Sequence, residues 1–232
     1  MTDLSPIVLS VLVPMAPGES EAPGLLEQLR ELPIPAEILL LRSDARPHEV
    51  LSDWPGRIGL RQIDSPGRRA RQMNAGAAVA RGQWLWFLHA DTRLGPGCLE
   101  GLADFVAQGD RALGWFRLAF RDDGPRLAAL NAAGANWRAR YLGIPFGDQG
   151  FVIRAADFAS LGGYDEKAPY GEDHLFVWSA RQAGIRPRRI NATLATSARK
   201  YARLGWARTT LLHWRLTFQQ AWPAWRRLRR GR

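Results

Sequence analysis

Two acidic positions stand where carboxylates can do chemistry. The first is Asp91, which closes the run Trp84-Leu85-Trp86-Phe87-Leu88-His89-Ala90-Asp91-Thr92-Arg93. Successive large apolar residues read as a strand covered on both faces, because a half-exposed strand would alternate. The polar tail emerges at the carboxyl end of that strand. Open α/β sheets bind ligands at that edge, so Asp91 is placed for a nucleotide or a metal. The second position is Glu172–Asp173, directly after Gly171. Adjacent acids at a helix start are favoured by the macrodipole. The same placement suits a general base that takes a hydroxyl proton, and both readings stay open.

The elements around them spell an α/β fold. Ile7–Val13 is β-branched-rich and predicts a first buried strand closed by Pro14. Leu25, Leu26, Leu29 and Leu32 fall at helical spacing, and Glu37–Leu41 predicts a second buried strand. Arg57–Ile63 gives a weaker third. In the segment from Arg68 to Ala80, Ala70, Met73, Ala77 and Ala80 share one helical face, and Arg71 and Asn74 share another. Alternation of strand and helix up to Trp84 argues for a mostly parallel sheet with right-handed crossovers, flanked by helices.

After Asp91, Gly95-Pro96-Gly97 predicts a helix start running to about Gln108. Gly114–Arg121 alternates and predicts a half-exposed strand, and Pro125–Tyr141 a helix. A loop through Asp148 and Gln149 leads to a strand at Phe151–Ile153, and a turn at Leu161–Asp165 precedes a helix that should bury Leu175, Phe176 and Ser179. From Leu204 the pattern changes. Ala207, Leu211, Trp214, Phe218 and Trp222 recur at helical spacing, with Arg208, Arg215 and Gln219 elsewhere on the wheel. This C-terminal amphipathic helix either caps the sheet or lies on a membrane surface. The chain accordingly divides into residues 1–202 and a basic helix and tail, 203–232.

Composition narrows the classes. Hydrophobic residues make up 46% and charged residues 23%, ordinary values that exclude a disordered chain. The single cysteine, Cys98, excludes an internal disulfide framework and fits a reducing compartment, with a small apolar role near a helix start. No stretch is long and apolar enough for a membrane span, and Met1-Thr2-Asp3 lacks a basic leader, which points to the cytoplasm. The net charge of +10 is uneven: all 22 acidic residues precede His174, whereas 14 of the 32 Lys and Arg follow Asp173. That asymmetry suggests an anionic partner, and an apolar stripe favours phospholipid, peripherally on the inner membrane face, over nucleic acid, which is not expected.

In order and spacing, a proline-ended first strand, Gly67-Arg68-Arg69-Ala70-Arg71-Gln72-Met73-Asn74-Ala75-Gly76, Phe87-Leu88-His89-Ala90-Asp91-Thr92, Gly147-Asp148-Gln149 and the later Glu172–Asp173 resemble the family 2 glycosyltransferases. The similarity runs over about residues 7–215 and is closest to a bacterial branch of selenodomain-associated transferases. It implies the GT-A, Rossmann-like fold and transfer of a sugar from a nucleotide-sugar donor to an acceptor hydroxyl, here unknown, by inversion. It also implies Mn²⁺ or Mg²⁺ held by Asp91, with His89 in the place of the first Asp of the family's Asp-x-Asp motif. Asp173, with Glu172 beside it, would be the base, Arg71 and Asn74 would face the donor, and Asp148 and Gln149 would contact the acceptor or sugar. Two nucleotide-side loops depart from the family pattern. Only Asp44 stands in for the acidic segment after the second strand, and Glu19 for the acid after the first. The alternative these departures leave is a catalytically silent relative that binds a nucleotide or an anionic membrane surface.

Overall fold

The computed structural model describes residues 6–43, 54–65 and 67–230. Eight strands form one sheet in the order β3-β2-β1-β4-β7-β6-β8-β5. The strands are β1 (Leu9–Met15), β2 (Ala36–Arg42), β3 (Ile58–Asp64), β4 (Trp84–Phe87), β5 (Arg93–Leu94), β6 (Ala112–Phe120), β7 (Val152–Arg154) and β8 (Arg186–Thr196). The half from β3 to β4 is parallel. The other half is mixed: β7 runs antiparallel to β4 and β6, β8 is parallel to β6, and β5 antiparallel to β8.

As the apolar run predicts, β4 is central and buried on both faces. Trp84 and Trp86 belong to one core, with helices α1 (Ala22–Leu29) and α3 (Cys98–Gln108). Leu85 and Phe87 belong to the other, beneath α2 (Arg69–Val79), α5 (Ala155–Ser160) and α6 (Glu172–Gln182). In α2, Gly76 lets the helix close on the sheet, since a Cβ there would stand 2.6 Å from Leu41 and 2.9 Å from Leu12. The one carboxylate inside β2, Glu37, is neutralised locally. It accepts hydrogen bonds from Ser10 Oγ (2.7 Å), the Arg81 backbone N–H (2.6 Å) and Arg61 (2.9 Å).

Several expectations change. β1 runs through Pro14, which pairs with Leu41, and ends at Met15. β6 does alternate, but its first five residues are buried, because Trp115 and Phe116 enter opposite cores. Helix α6 buries His174, Val177, Trp178 and Ala180 with Phe176, whereas Ser179 is exposed and donates to the Leu175 carbonyl. The strand β8 carries no forecast above. Helix α4 (Ala128–Trp137) continues into a π-helical turn, Arg138–Leu142, and a short α7 (Arg199–Leu204) precedes α8 (Trp206–Arg230).

These directions gather loops at one edge. β1, β2, β4, β6 and β8 all end there, and β7 begins there, preceded by a 3₁₀ turn at Gly147–Gln149. Asp91, Asp148 and Asp173, far apart in sequence, therefore share one rim, as strand carboxyl ends do in open sheets.

Candidate active site

The densest polar cluster surrounds the start of α6. Asp173 Oδ2 accepts from the Gly147 backbone N–H at 2.6 Å, and Oδ1 from the His174 N–H at 2.9 Å. Gly147 is required by proximity: a Cβ would meet the Arg69 guanidinium at 2.6 Å and Asp173 Oδ2 at 3.0 Å. Arg69 pairs with Glu172 at 3.5 Å, although its Nε makes no hydrogen bond. Beside them, Asp148 Oδ1 is sealed from water without a partner, and so is Arg138 Nη2. Arg138 is steered by its Nε bond to the Ile144 carbonyl (2.9 Å) and lies 3.5 Å from the Phe146 ring centre.

Burial, and then the charge of Asp173, push the Asp148 carboxyl up to about 6, against the pull of Arg138 and Arg69. Burial lowers the Arg138 guanidinium, which Asp148 and Asp173 partly restore. His89 Nε2 is also buried and unpartnered. Burial, with Arg69 nearby, holds its imidazole well below its ordinary value, so it is neutral at pH 7. His89 thus lies within electrostatic reach of Arg69. Unpaired buried polar atoms are costly in a native fold, and their convergence marks a place where a ligand can satisfy them.

The second cluster surrounds Asp91, which accepts from Thr196 Oγ1 at 3.1 Å and the Ser197 N–H at 3.3 Å. Next to it Glu21 pairs with Arg93 (2.9 Å), Arg121 (2.8 Å) and Arg199 (3.0 Å). Asp123 accepts from Ser197 Oγ and the Ala198 N–H at 2.7 Å each, with Arg121 and Arg199 alongside. The hydrogen bond from Arg121 is the leading cause that keeps the Glu21 carboxyl below its usual range. Three guanidiniums and the three carboxylates Glu21, Asp91 and Asp123 thus form a charge-balanced network at the strand-end rim.

Other predicted residues sit differently. Asn74 is committed to the turn before α6: its side chain donates to the Tyr164 carbonyl and to Glu166, and accepts from the Tyr164 N–H, each at 2.9 Å. Arg71 is exposed. Glu19 Oε1 accepts from the Glu21 N–H at 2.8 Å, a local turn contact. Gln149 is fully buried and donates to the Phe116 carbonyl at 3.2 Å, fixing the 3₁₀ turn. Asp44 lies outside the described residues. Arg69, Arg138, Glu21 and Arg121 enter the clusters without having been singled out. The one hint for Arg69 is its place beside Arg71 at the start of α2. A groove of about 620 Å³ between the end of β6 and α4 contains none of the predicted residues.

A parallel α/β half-sheet, a strand-end carboxylate, and an acidic helix start across the same rim define an open α/β architecture with its ligand-binding edge at the strand carboxyl ends. Solved structures share it: S. aureus TarS 1-349 superposes with a TM-score of 0.59 at 15% identity, covering 82% of this chain and 60% of that one. The same protein in complex with UDP-GlcNAc gives a TM-score of 0.56 at 15% identity, with 82% and 58% covered. With UDP the values are 0.59 at 15% identity, with 83% and 61% covered. The chain thus spans about three fifths of TarS 1-349. No curated protein matches the sequence. The family model for glycosyl transferase family 2 matches residues 10–160, more than half of the chain, and the chain belongs to that family.

Proposed function

We propose that this protein transfers a glycosyl group from a nucleoside diphosphate sugar to an acceptor hydroxyl in a single inverting displacement. The observation that carries the reading is the Asp173–Asp148–Arg138–Arg69 cluster, with its unpaired buried atoms, on the same rim as Asp91. TarS structures hold UDP and UDP-GlcNAc, which makes UDP-sugars the first donors to test.

Asp173 is held by two backbone N–H groups at fixed orientation and serves as the base toward the acceptor hydroxyl. Glu172 and Arg69 keep each other in place at its side. Asp148 and Gln149 are assigned to the sugar or acceptor side: Gln149 fixes the 3₁₀ turn from inside, and Asp148 Oδ1, buried without a partner, would accept from a hydroxyl only once the turn around it opens. His89 Nε2, facing the charge of Arg69, suits an oxygen of the sugar or phosphate. Arg121 and Arg199, now paired with Glu21, would have to exchange that carboxylate for diphosphate oxygens to stabilise the leaving group.

Among the described residues no three His, Cys, Asp or Glu side chains gather into a metal cage. Asp91 has lone pairs beyond its two hydrogen bonds, and one carboxylate plus substrate phosphates is a usual setting for Mg²⁺ or Mn²⁺. An ion bound there would supply Lewis-acid stabilisation of the diphosphate. Arg71, Asn74, Glu19 and Asp44 remain assigned to the donor side, Asn74 through the loop it anchors. Residues 1–202 are the transferase unit and 203–232 its basic appendage.

Thermal shift with UDP, with and without Mn²⁺, tests the donor site, because a ligand of the native state raises its melting temperature by mass action. Stabilisation lost in Asp91→Asn supports the assignment. A nucleotide that binds without any turnover, for every donor and acceptor offered, would favour the silent alternative.

A further inference from the structure

Helices α4 and α8 meet at a polar seam. Asn131 donates to Thr210 Oγ1 at 3.0 Å and accepts from Trp206 Nε1 at 2.6 Å. On the protein side of α8, Gln220 donates to the Tyr170 carbonyl at 2.7 Å and contacts His174 Nδ1 at 3.1 Å, and Thr209 is buried. Helix α8 is thus seated by these polar groups together with Trp206 and Ala221, which pack on the core. Its apolar stripe points away from the protein, with Leu211, Phe218 and Trp222 exposed by 68%, 72% and 60%. The outer side of α4 and its π-helical turn does the same. Leu130, Trp137 and Tyr141, at spacings that stack on one helical face, are exposed by 61%, 57% and 65%. The two exposed stripes are carried by helices joined at the Asn131 seam.

Their rim is of one sign. No Asp or Glu occurs from Gly124 to Gly147, or anywhere after Asp173. Arg140 lies 5.6 Å from the Tyr141 ring and Arg226 lies 5.8 Å from the Trp222 ring, while Arg208 and Arg215 are exposed along α8. A second copy of the chain would bring arginine rims face to face with no carboxylate on this surface to pair them. Nucleic acid would leave aliphatic Leu130 and Leu211 without a favourable contact. Aromatic rings at the level of lipid headgroups, aliphatic side chains below them and arginines around them match an anionic bilayer instead.

We propose that the α4–α8 surface docks on anionic phospholipid. This docking does not depend on glycosyl transfer. Arg138 belongs to the π-helical turn after α4 and Gln220 to α8, so the elements that touch lipid also support the candidate active site.

Co-sedimentation of the full chain with phosphatidylcholine vesicles, with and without phosphatidylglycerol, tests this. Binding is expected only to the anionic vesicles and should weaken with salt. The pairs Leu130→Gln/Trp137→Gln and Phe218→Gln/Trp222→Gln should each weaken it by roughly tenfold or more. Arg208→Gln/Arg215→Gln should weaken it about fivefold per arginine and flatten the salt dependence. All six side chains are exposed, and circular dichroism verifies that each variant folds. UDP affinity should be unchanged in all three pairs, which separates this inference from the donor-site reading. Equal binding to neutral vesicles, absence of binding, undiminished binding by the α4 pair, or a dimer in solution that the apolar pairs dissociate would overturn it.

Discussion

Replacing Asp148 by Asn should make the protein more stable and less active. The reasoning starts from burial: the Asp148 carboxyl is raised from 3.8 to about 6, chiefly by desolvation and then by Asp173. A raised carboxyl binds protons more tightly in the folded chain than in the unfolded one. Its ionisation therefore costs native stability above about pH 6, and the cost fades as pH falls toward the unfolded value near 4. A shift of about two units corresponds to ~3 kcal/mol at most. Relaxation of the structure around the ionised carboxylate lowers this to roughly 1–3 kcal/mol. Asparagine keeps the shape without the charge. At pH 7, Asp148→Asn should melt about 2–12 °C higher than the native protein, given 2–4 °C per kcal/mol in chains of this size. At pH 4.5 the difference should shrink to about a third. Differential scanning calorimetry at both pH values, beside turnover of a UDP-sugar, reads the two effects. A variant that melts lower at pH 7 would refute the argument, because the Arg138 and Arg69 attractions would then outweigh the burial of the charge.

Three further outcomes follow from named contacts. Asn74→Ala strips the partners from both the Tyr164 N–H and its carbonyl, so it should lower stability by about 2–3 kcal/mol in denaturant titration, with UDP affinity reduced only through the displaced loop. The His174 imidazole is held below its ordinary value, first by burial, while Trp178 donates to Nε2 at 2.9 Å. Stability from neutral His174 is complete above the unfolded pKa near 6.5 and is lost as pH falls below it, so in the Asp148→Asn background melting should still drop between pH 6.5 and 5, and His174→Gln should blunt that drop. Burial, followed by Glu100, pushes the Cys98 thiol up to about 12, so iodoacetamide should label it only at the rate of unfolding.

The central strand was the most legible element, because apolar residues at every position of Trp84–Phe87 have few other uses in a short segment. β8 escaped notice for the opposite reason. Arg186, Pro187, Arg188 and Arg189 mask a strand whose later half does alternate, with Ile190, Ala192, Leu194 and Thr196 buried. In α2 the face bearing Arg71 and Asn74 was readable from spacing, but which arginine would meet the acidic helix was not. Arg69 enters the cluster through its contacts with residues at 147 and 172, and no local pattern encodes those. Arg138 is similar: an arginine on an alanine-rich helix reads as solvated until the Phe146 ring and Ile144 carbonyl close over it. The stripe on α8 was plain from periodicity. Its direction was not, since an amphipathic pattern names a face without naming what lies against it, and here polar groups, with Trp206 and Ala221, took the protein.

The most direct test of the transfer assignment is turnover and UDP affinity measured together on the native protein and Asp173→Asn, with a donor and acceptor that support activity. In Asp173→Asn, kcat should fall by about 10²–10⁴ with UDP affinity kept within a fewfold. Full activity in Asp173→Asn, or loss that simply follows weakened UDP binding, would contradict it.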